Sequence, residues 1–329
     1  MSRVSPPQPQ PQSQRLRFYR QPQAWLWAFW KFTRPHTIIG TSLSVWGLFG
    51  MAAAIAPGLP SGLAVVRLVG LAWLACLAGN VYIVGLNQLE DIAIDRVNKP
   101  HLPLASGEFA RQDGRWLVAI TGALALIAAA IGGPWLLTTV GISLVIGSAY
   151  SLPPIRLKRH PFWASFCILA VRGAVVNLGL FLHYSQGLGL NAGIPAHVWV
   201  LTGFVLIFSI AIAIFKDIPD IEGDKRYGIR TLSVALGQRT VFNIARGVLT
   251  ICYAGVALAA PWLTLVNRPL LVVAHLLVLG LFWWLSLRVE GFKGGASPRQ
   301  TMSYPAFYQF IWKLFFIEYV MFPLICWLG

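Results

Sequence analysis

Acidic side chains are scarce in this chain: 11 of 329 residues are Asp or Glu, and charged residues of both signs make up only 11%. Soluble domains carry about 25% charged residues, so a water-soluble globular protein is excluded. Cysteine is rarer still, at four residues. Cys76, Cys167, Cys252 and Cys326 are scattered through apolar stretches with no Cys-x-x-Cys, the pattern of small buried hydrophobes rather than of disulfides. The six histidines show no metal-ligand spacing, which argues against a zinc-type centre.

What is abundant is apolar, at 57% of the residues. The apolar runs are long enough to cross a bilayer. They fall at about 36–57, 64–90, 116–132, 135–151, 162–184, 198–216, 241–262, 269–288 and 304–328. The expected fold is therefore all-α, a polytopic bundle of about nine transmembrane helices. Residues 1–23, rich in Pro, Gln, Ser and Arg, read as a disordered cytosolic tail, and 24–329 as a single membrane domain. Between them, Trp25, Trp27, Phe29 and Trp30 beside Lys31 and Arg34 suit the membrane–water interface.

The net charge of +15 follows topology rather than nucleic acid. Of 26 Lys and Arg, only Arg67 and Arg268 fall in the expected outside loops, and Arg172 and Lys313 lie within spans. The others sit in the N-terminal segment and in alternate connections, as the positive-inside rule requires. This places the N-terminus inside and the C-terminus outside, with anionic lipid headgroups as the natural neighbours of the basic loops.

Against that background the acids are concentrated. Seven of the 11 fall in two clusters: Glu90, Asp91 and Asp95 close the second span, while Asp217, Asp220, Glu222 and Asp224 follow the sixth. Asn87, Asp91 and Asp95 recur at i, i+4 and i+8, a spacing that stacks side chains along one helix face. Like charges so close repel unless cations lie between them. Carboxylates without matching His or Cys ask for a hard cation such as Mg²⁺, which favours carboxylate, water and phosphate oxygens. Arg34 at the mouth of the first span, Arg156, Lys158 and Arg159 after the fourth, and Lys216 beside Asp217 could complete a clamp on a diphosphate whose hydrocarbon tail lies in the bundle. A transporter would place such acids near mid-bilayer, whereas these stand at helix ends on one side.

Asn87, Asp91 and Asp95, with Lys216, Asp217, Asp220, Gly223 and Asp224, resemble the two motifs of the UbiA superfamily of intramembrane prenyltransferases. The stretches 32–41, 80–103, 216–232 and 308–316 are similar to its homogentisate branch in cyanobacteria and plastids. The resemblance implies transfer of a phytyl group from phytyl diphosphate to homogentisate, with loss of CO₂. It implies Mg²⁺ held by Asp91, Asp95, Asp217 and Asp220, with Asp224 also catalytic. Asn87, Arg34, Tyr150, Arg156, Lys158, Arg159 and Lys216 would bind substrate. The implied setting is a bacterial plasma or thylakoid membrane with the site at its cytosolic face and no obligate protein partner. Donors of solanesyl or geranylgeranyl type, and 4-hydroxybenzoate or chlorophyllide as acceptor, stay open.

Overall fold

The computed structural model describes residues 15–190, 193–218, 232–289 and 302–329. Among them, nine helical spans are long and apolar enough to cross a membrane. They match the expected runs to within a few residues at each end, and the protein is an integral membrane protein.

Helix α1 (Pro22–Phe32) precedes the spans. The first four spans are α2 (Pro35–Ala54), α3 (Gly62–Glu90), α6 (Arg111–Gly132) and α7 (Pro134–Ser151). Two short helices, α4 (Ile92–Asn98) and α5 (Pro103–Ser106), lie between α3 and α6. The fifth span is composite: α8 (Pro161–Leu169), one π-helical turn over Ala170–Val175, then α9 (Val176–Gly187). After α10 (Ala196–Asp217) and the short α11 (Leu232–Leu236) come α12 (Gln238–Ala259), α13 (Arg268–Ser286) and α14 (Tyr304–Trp327).

Proline sets several of the starts. It occupies the first or second position of α1, α2, α7, α8, α13 and α14, where its missing N–H costs nothing and its fixed φ suits the helix. Gly133 makes the tight turn from α6 to α7 at φ 113°, a conformation closed to residues with a Cβ.

The main core joins both halves of the bundle, through residues such as Leu48, Phe181, Phe208, Phe242, Phe315 and Phe322. Large apolar side chains such as Leu63, Ile120, Val145, Leu258 and Leu277 face outward. On a soluble protein such a surface would be an aggregation liability; in lipid it is the matched exterior. A smaller cluster, including Ala28, Phe32, Leu89, Leu104 and Phe109, seats α1 against the end of α3 and the connection that follows.

That seating begins ahead of α1. Arg15 pairs with Asp113 at 3.1 Å, the Leu16 N–H donates to the Glu108 carbonyl, and Lys31 pairs with Glu108 at 2.6 Å. The segment from Arg15 to Gln23, expected as tail, is thus tied to the bundle; Met1–Gln14 lie outside the described residues. Apolar contacts through Leu16 and hydrogen bonds to a distant loop hold it, and neither is visible in a Pro- and Gln-rich composition.

Candidate active site

Helix α3 is 29 residues long, about 43 Å at 1.5 Å per residue, so its last turns pass beyond a hydrocarbon core of about 30 Å. This carries Asn87 and Asp91 to one end of the bundle. The helix does not run on through the motif. Asp91 adopts φ −111° and ψ 14°, ending α3 at Glu90 and starting α4 at Ile92, although its N–H still donates to Asn87 O and its carbonyl accepts from Asp95 N–H. The single helix face expected for Asn87, Asp91 and Asp95 is therefore bent, and the three side chains serve different neighbours.

Asp91 is met from across the bundle. Arg156 Nη2 donates to its Oδ1 at 3.0 Å and Lys158 Nζ to its Oδ2 at 2.6 Å. All three side chains are largely buried, at 15%, 18% and 11% exposure for Asp91, Arg156 and Lys158. Arg156 reaches this position with a backbone in the left-handed region, φ 38°, ahead of a 3₁₀ turn over Leu157–Arg159. Arg159 is exposed and makes no ion pair among the described residues, so of the three cations expected here Arg156 and Lys158 are the two that the fold brings to Asp91.

Asp95 is buried, with Lys99 Nζ 3.7 Å from its Oδ1, and its Oδ2 has no partner among the described residues. Burial lowers the Lys99 pKa, and the Arg34 and Lys216 charges push the same way while Asp95 and Asp91 oppose them. The end of α10 therefore lies beside this cluster, with Lys216 exposed in its last turn. Asp217 ends α10. Asp220, Glu222 and Asp224 lie outside the described residues.

Arg34 caps α2 from another left-handed backbone, φ 54°, a strained state for a residue with a Cβ. Thr37 donates to the Arg34 carbonyl at 2.8 Å and in turn accepts from Asn80 of α3 at 2.9 Å, which fixes that corner. Arg34 Nη2 is buried and has no partner among the described residues. Burial pulls its pKa down while Asp95, Tyr150 and Asp91 act the other way; a guanidinium starts so high that it stays charged.

Arg34, Asn87 and Tyr150 line a cavity of about 320 Å³ that continues among Thr41, Ser44, Cys76, Thr139 and Leu144 in the spans. A polar, cationic end thus opens into a mainly apolar interior, a shape for an amphiphile with an anionic head. Sequence reasoning passed over two cavity residues, Arg172 and Trp312. It passed over Lys99 as well, although its i,i+4 spacing from Asp95 was there to be read.

The Asp91 and Asp95 carboxylates, with Asp95 Oδ2 buried and unpartnered among the described residues, are the oxygen chemistry that suits a hard divalent cation. No group of three acids, His or Cys gathers among the described residues, so a full shell needs oxygens from elsewhere.

The chain matches the model of the UbiA prenyltransferase family over residues 43–314. A homogentisate phytyltransferase from Synechocystis is 50% identical over 92% of this chain and 96% of its own length. A chloroplastic homogentisate solanesyltransferase from Arabidopsis thaliana is 38% identical over 90% and 76%. In fold, the chain is similar to a solved UbiA homologue from Archaeoglobus fulgidus bound to GPP and Mg²⁺. The TM-score is 0.59 at 20% identity, covering 92% of this chain and all of the other. With the match running through both halves of the bundle and across the cavity's walls, the chain belongs to the UbiA prenyltransferase family and is a prenyltransferase.

Proposed function

We propose that the protein transfers a phytyl group from phytyl diphosphate to homogentisate with loss of CO₂, giving 2-methyl-6-phytylquinol and diphosphate on the route to tocopherol. The observation that carries this reading is the 50% identity to the Synechocystis homogentisate phytyltransferase along almost the whole of both chains. The cavity supports it: a cationic mouth for a diphosphate joins an apolar interior for a prenyl chain.

The reaction needs an allylic C–O bond to break, leaving an anionic diphosphate and a carbocation for the electron-rich ring to capture. Mg²⁺ held by Asp91, Asp95, Asp217 and Asp220 would neutralise charge on the leaving diphosphate. Arg34, Arg156 and Lys158 supply the protein's own positive charge, fixed in place before the bond breaks. Asn87 and Tyr150 line the junction between head and tail and orient the diphosphate. Asp224 supports the second acidic motif. The aromatic and aliphatic walls exclude water, which would otherwise capture the cation. The site faces the cytosol on this reading, because the loops on its side carry most of the chain's Lys and Arg.

Purified protein in lipid nanodiscs, given homogentisate with phytyl, geranylgeranyl or solanesyl diphosphate in turn, tests the proposal. Phytyl diphosphate should give the highest kcat/KM and a decarboxylated quinol. A faster reaction with solanesyl diphosphate, or transfer to 4-hydroxybenzoate or chlorophyllide but not homogentisate, would replace it.

A further inference from the structure

Arg172 is a cation within a membrane span that lines the cavity and that the diphosphate clamp leaves unused. It sits on the π-helical turn Ala170–Val175 in the middle of the fifth span and lines the cavity. Turns of this kind inside α-helices recur at functional sites, because they re-aim a side chain at the cost of regular hydrogen bonding. This one is held in place. Asn177 Nδ2 donates to the Gly173 carbonyl at 2.7 Å, and the Tyr319 hydroxyl donates to Asn177 Oδ1 at 2.9 Å from α14. On the opposite side, a Cβ at Gly173 would collide with Leu206 of α10.

The guanidinium itself lies over Trp312, 5.4 Å from the ring centroid, and over Phe315 at 5.7 Å. No acid pairs with it and no hydrogen-bond acceptor meets it among the described residues. Its titratable neighbours are the Tyr319 and Tyr308 hydroxyls and the His36 ring, none of them an acid like the Asp95 and Asp91 that stand near Arg34. An unpaired charge at this depth is costly, and cation–π contacts offset only part of that. A guanidinium left with its donors free toward a cavity is made for an incoming carboxylate, which it can hold by two parallel hydrogen bonds.

We propose that Arg172 anchors the carboxylate of the aromatic acceptor and so selects an aromatic acid over neutral phenols. The inference rests on the proposed function for its acceptor, homogentisate. The two substrates then occupy separate charge centres. The diphosphate sits at the mouth with Arg34, Arg156 and Lys158, and the acceptor's carboxylate sits at Arg172 with its ring beside Trp312. The same carboxylate cancels the Arg172 charge, which would otherwise repel a carbocation forming in the same cavity.

Kinetics of the full-length protein in nanodiscs test this with homogentisate and its neutral amide, 2,5-dihydroxyphenylacetamide, following diphosphate release. Wild type should favour the acid by about tenfold or more in kcat/KM, well within the roughly 10⁴-fold by which a site built for hydrogen bonding can reject an analogue. Arg172→Gln should raise the homogentisate KM by a similar factor, leave the KM for phytyl diphosphate unchanged, and bring the acid-to-amide ratio close to one. Arg172→Lys should keep part of the preference. Equal use of acid and amide by wild type overturns the proposal without need of any variant. So does an Arg172→Gln effect confined to the diphosphate KM, which would make Arg172 part of the donor clamp. Failure of the proposed function looks different: wild type makes no prenylquinol from homogentisate. The acid-to-amide ratio of whichever aromatic acceptor is used, such as 4-hydroxybenzoate, then decides the role of Arg172.

Discussion

Lys158 and Asp91, 67 residues apart in the chain, meet at 2.6 Å in a largely buried contact. With Arg156 on the other oxygen, the carboxylate at the centre of the first acidic motif is fully paired before any ligand arrives. On the proposed function, the cations that a diphosphate needs would be stored beside the acid, and binding would exchange one anionic partner for another.

Lys158→Ala and Arg156→Ala should each raise the KM for the prenyl diphosphate, or lower kcat, by about tenfold or more, equivalent to about 1.4 kcal/mol. The homogentisate KM should move less. Arg159→Ala, which removes an exposed cation from the same turn, should change either constant little. Steady-state kinetics on the three variants distinguish a diphosphate clamp from residues that serve orientation in the membrane alone; equal effects of Lys158→Ala and Arg159→Ala would sink the clamp.

Asp95→Asn keeps the shape of a buried side chain whose Oδ2 has no partner and removes only its charge. It should abolish turnover while leaving expression and membrane insertion intact, and Asp217→Asn should do the same from the second motif. Chelation should stop wild-type turnover and Mg²⁺ restore it, since no His or Cys cage among the described residues would retain a metal. Near-normal rates in either variant, or after exhaustive chelation, would falsify the two-motif metal site.

His275 and Glu318 form a wholly buried pair, Nε2 to Oε1 at 3.1 Å, with Nδ1 2.7 Å from the Leu271 carbonyl. A carbonyl can only accept, so Nδ1 carries a proton, and the pair shares another between Nε2 and Oε1. Breaking a buried pair from one side costs about 3–5 kcal/mol, whereas apolar replacement of both partners is often neutral. His275→Ala should therefore lower Tm sharply in detergent, and His275→Phe with Glu318→Leu should recover most of the loss. Because the pair does not line the cavity, kcat/KM of the folded fraction should stay near wild type in both.

Asn177→Ala removes both hydrogen bonds that steady the π-helical turn, together with a longer one to the Arg172 carbonyl at 3.5 Å, whereas Tyr319→Phe removes only the bond from α14; neither alters the guanidinium itself. Both should raise the homogentisate KM, by less than Arg172→Gln, and leave the donor KM alone. A uniform fall in kcat with unchanged KM values would show that these residues support the bundle rather than the acceptor site.

Hydropathy was enough to read the nine spans, because in lipid each apolar run of about 20 residues must satisfy its backbone by closing a helix. The first acidic motif was legible for the opposite reason, as acids gathered at the end of an apolar run in a chain that has few of them. The bend at Asp91 was not, since no Gly or Pro marks it. Nor was the pairing of Asp91 with Arg156 and Lys158, which depends on how α7 returns to the end of α3. Arg172 reads in sequence like any solitary basic residue in a span, able to snorkel or pair. Only the π-helical turn and the empty space in front of it distinguish the side chain from those alternatives.

The first and last spans are neighbours. Gly47 of α2 packs so close to α14 that a Cβ there would stand 2.6 Å from the Tyr319 carbonyl oxygen, and Trp327 Nε1 donates to the Gly50 carbonyl at 2.9 Å. His36 and Trp312, on the same two helices, meet edge to face where both line the cavity. One wall of the cavity is therefore a seam between helices far apart in the chain, 277 residues in the case of Gly50 and Trp327, and it exists only when α14 has packed on α2. Any change that loosens this seam should open the cavity to lipid on that side, whatever it leaves intact at the acidic motifs.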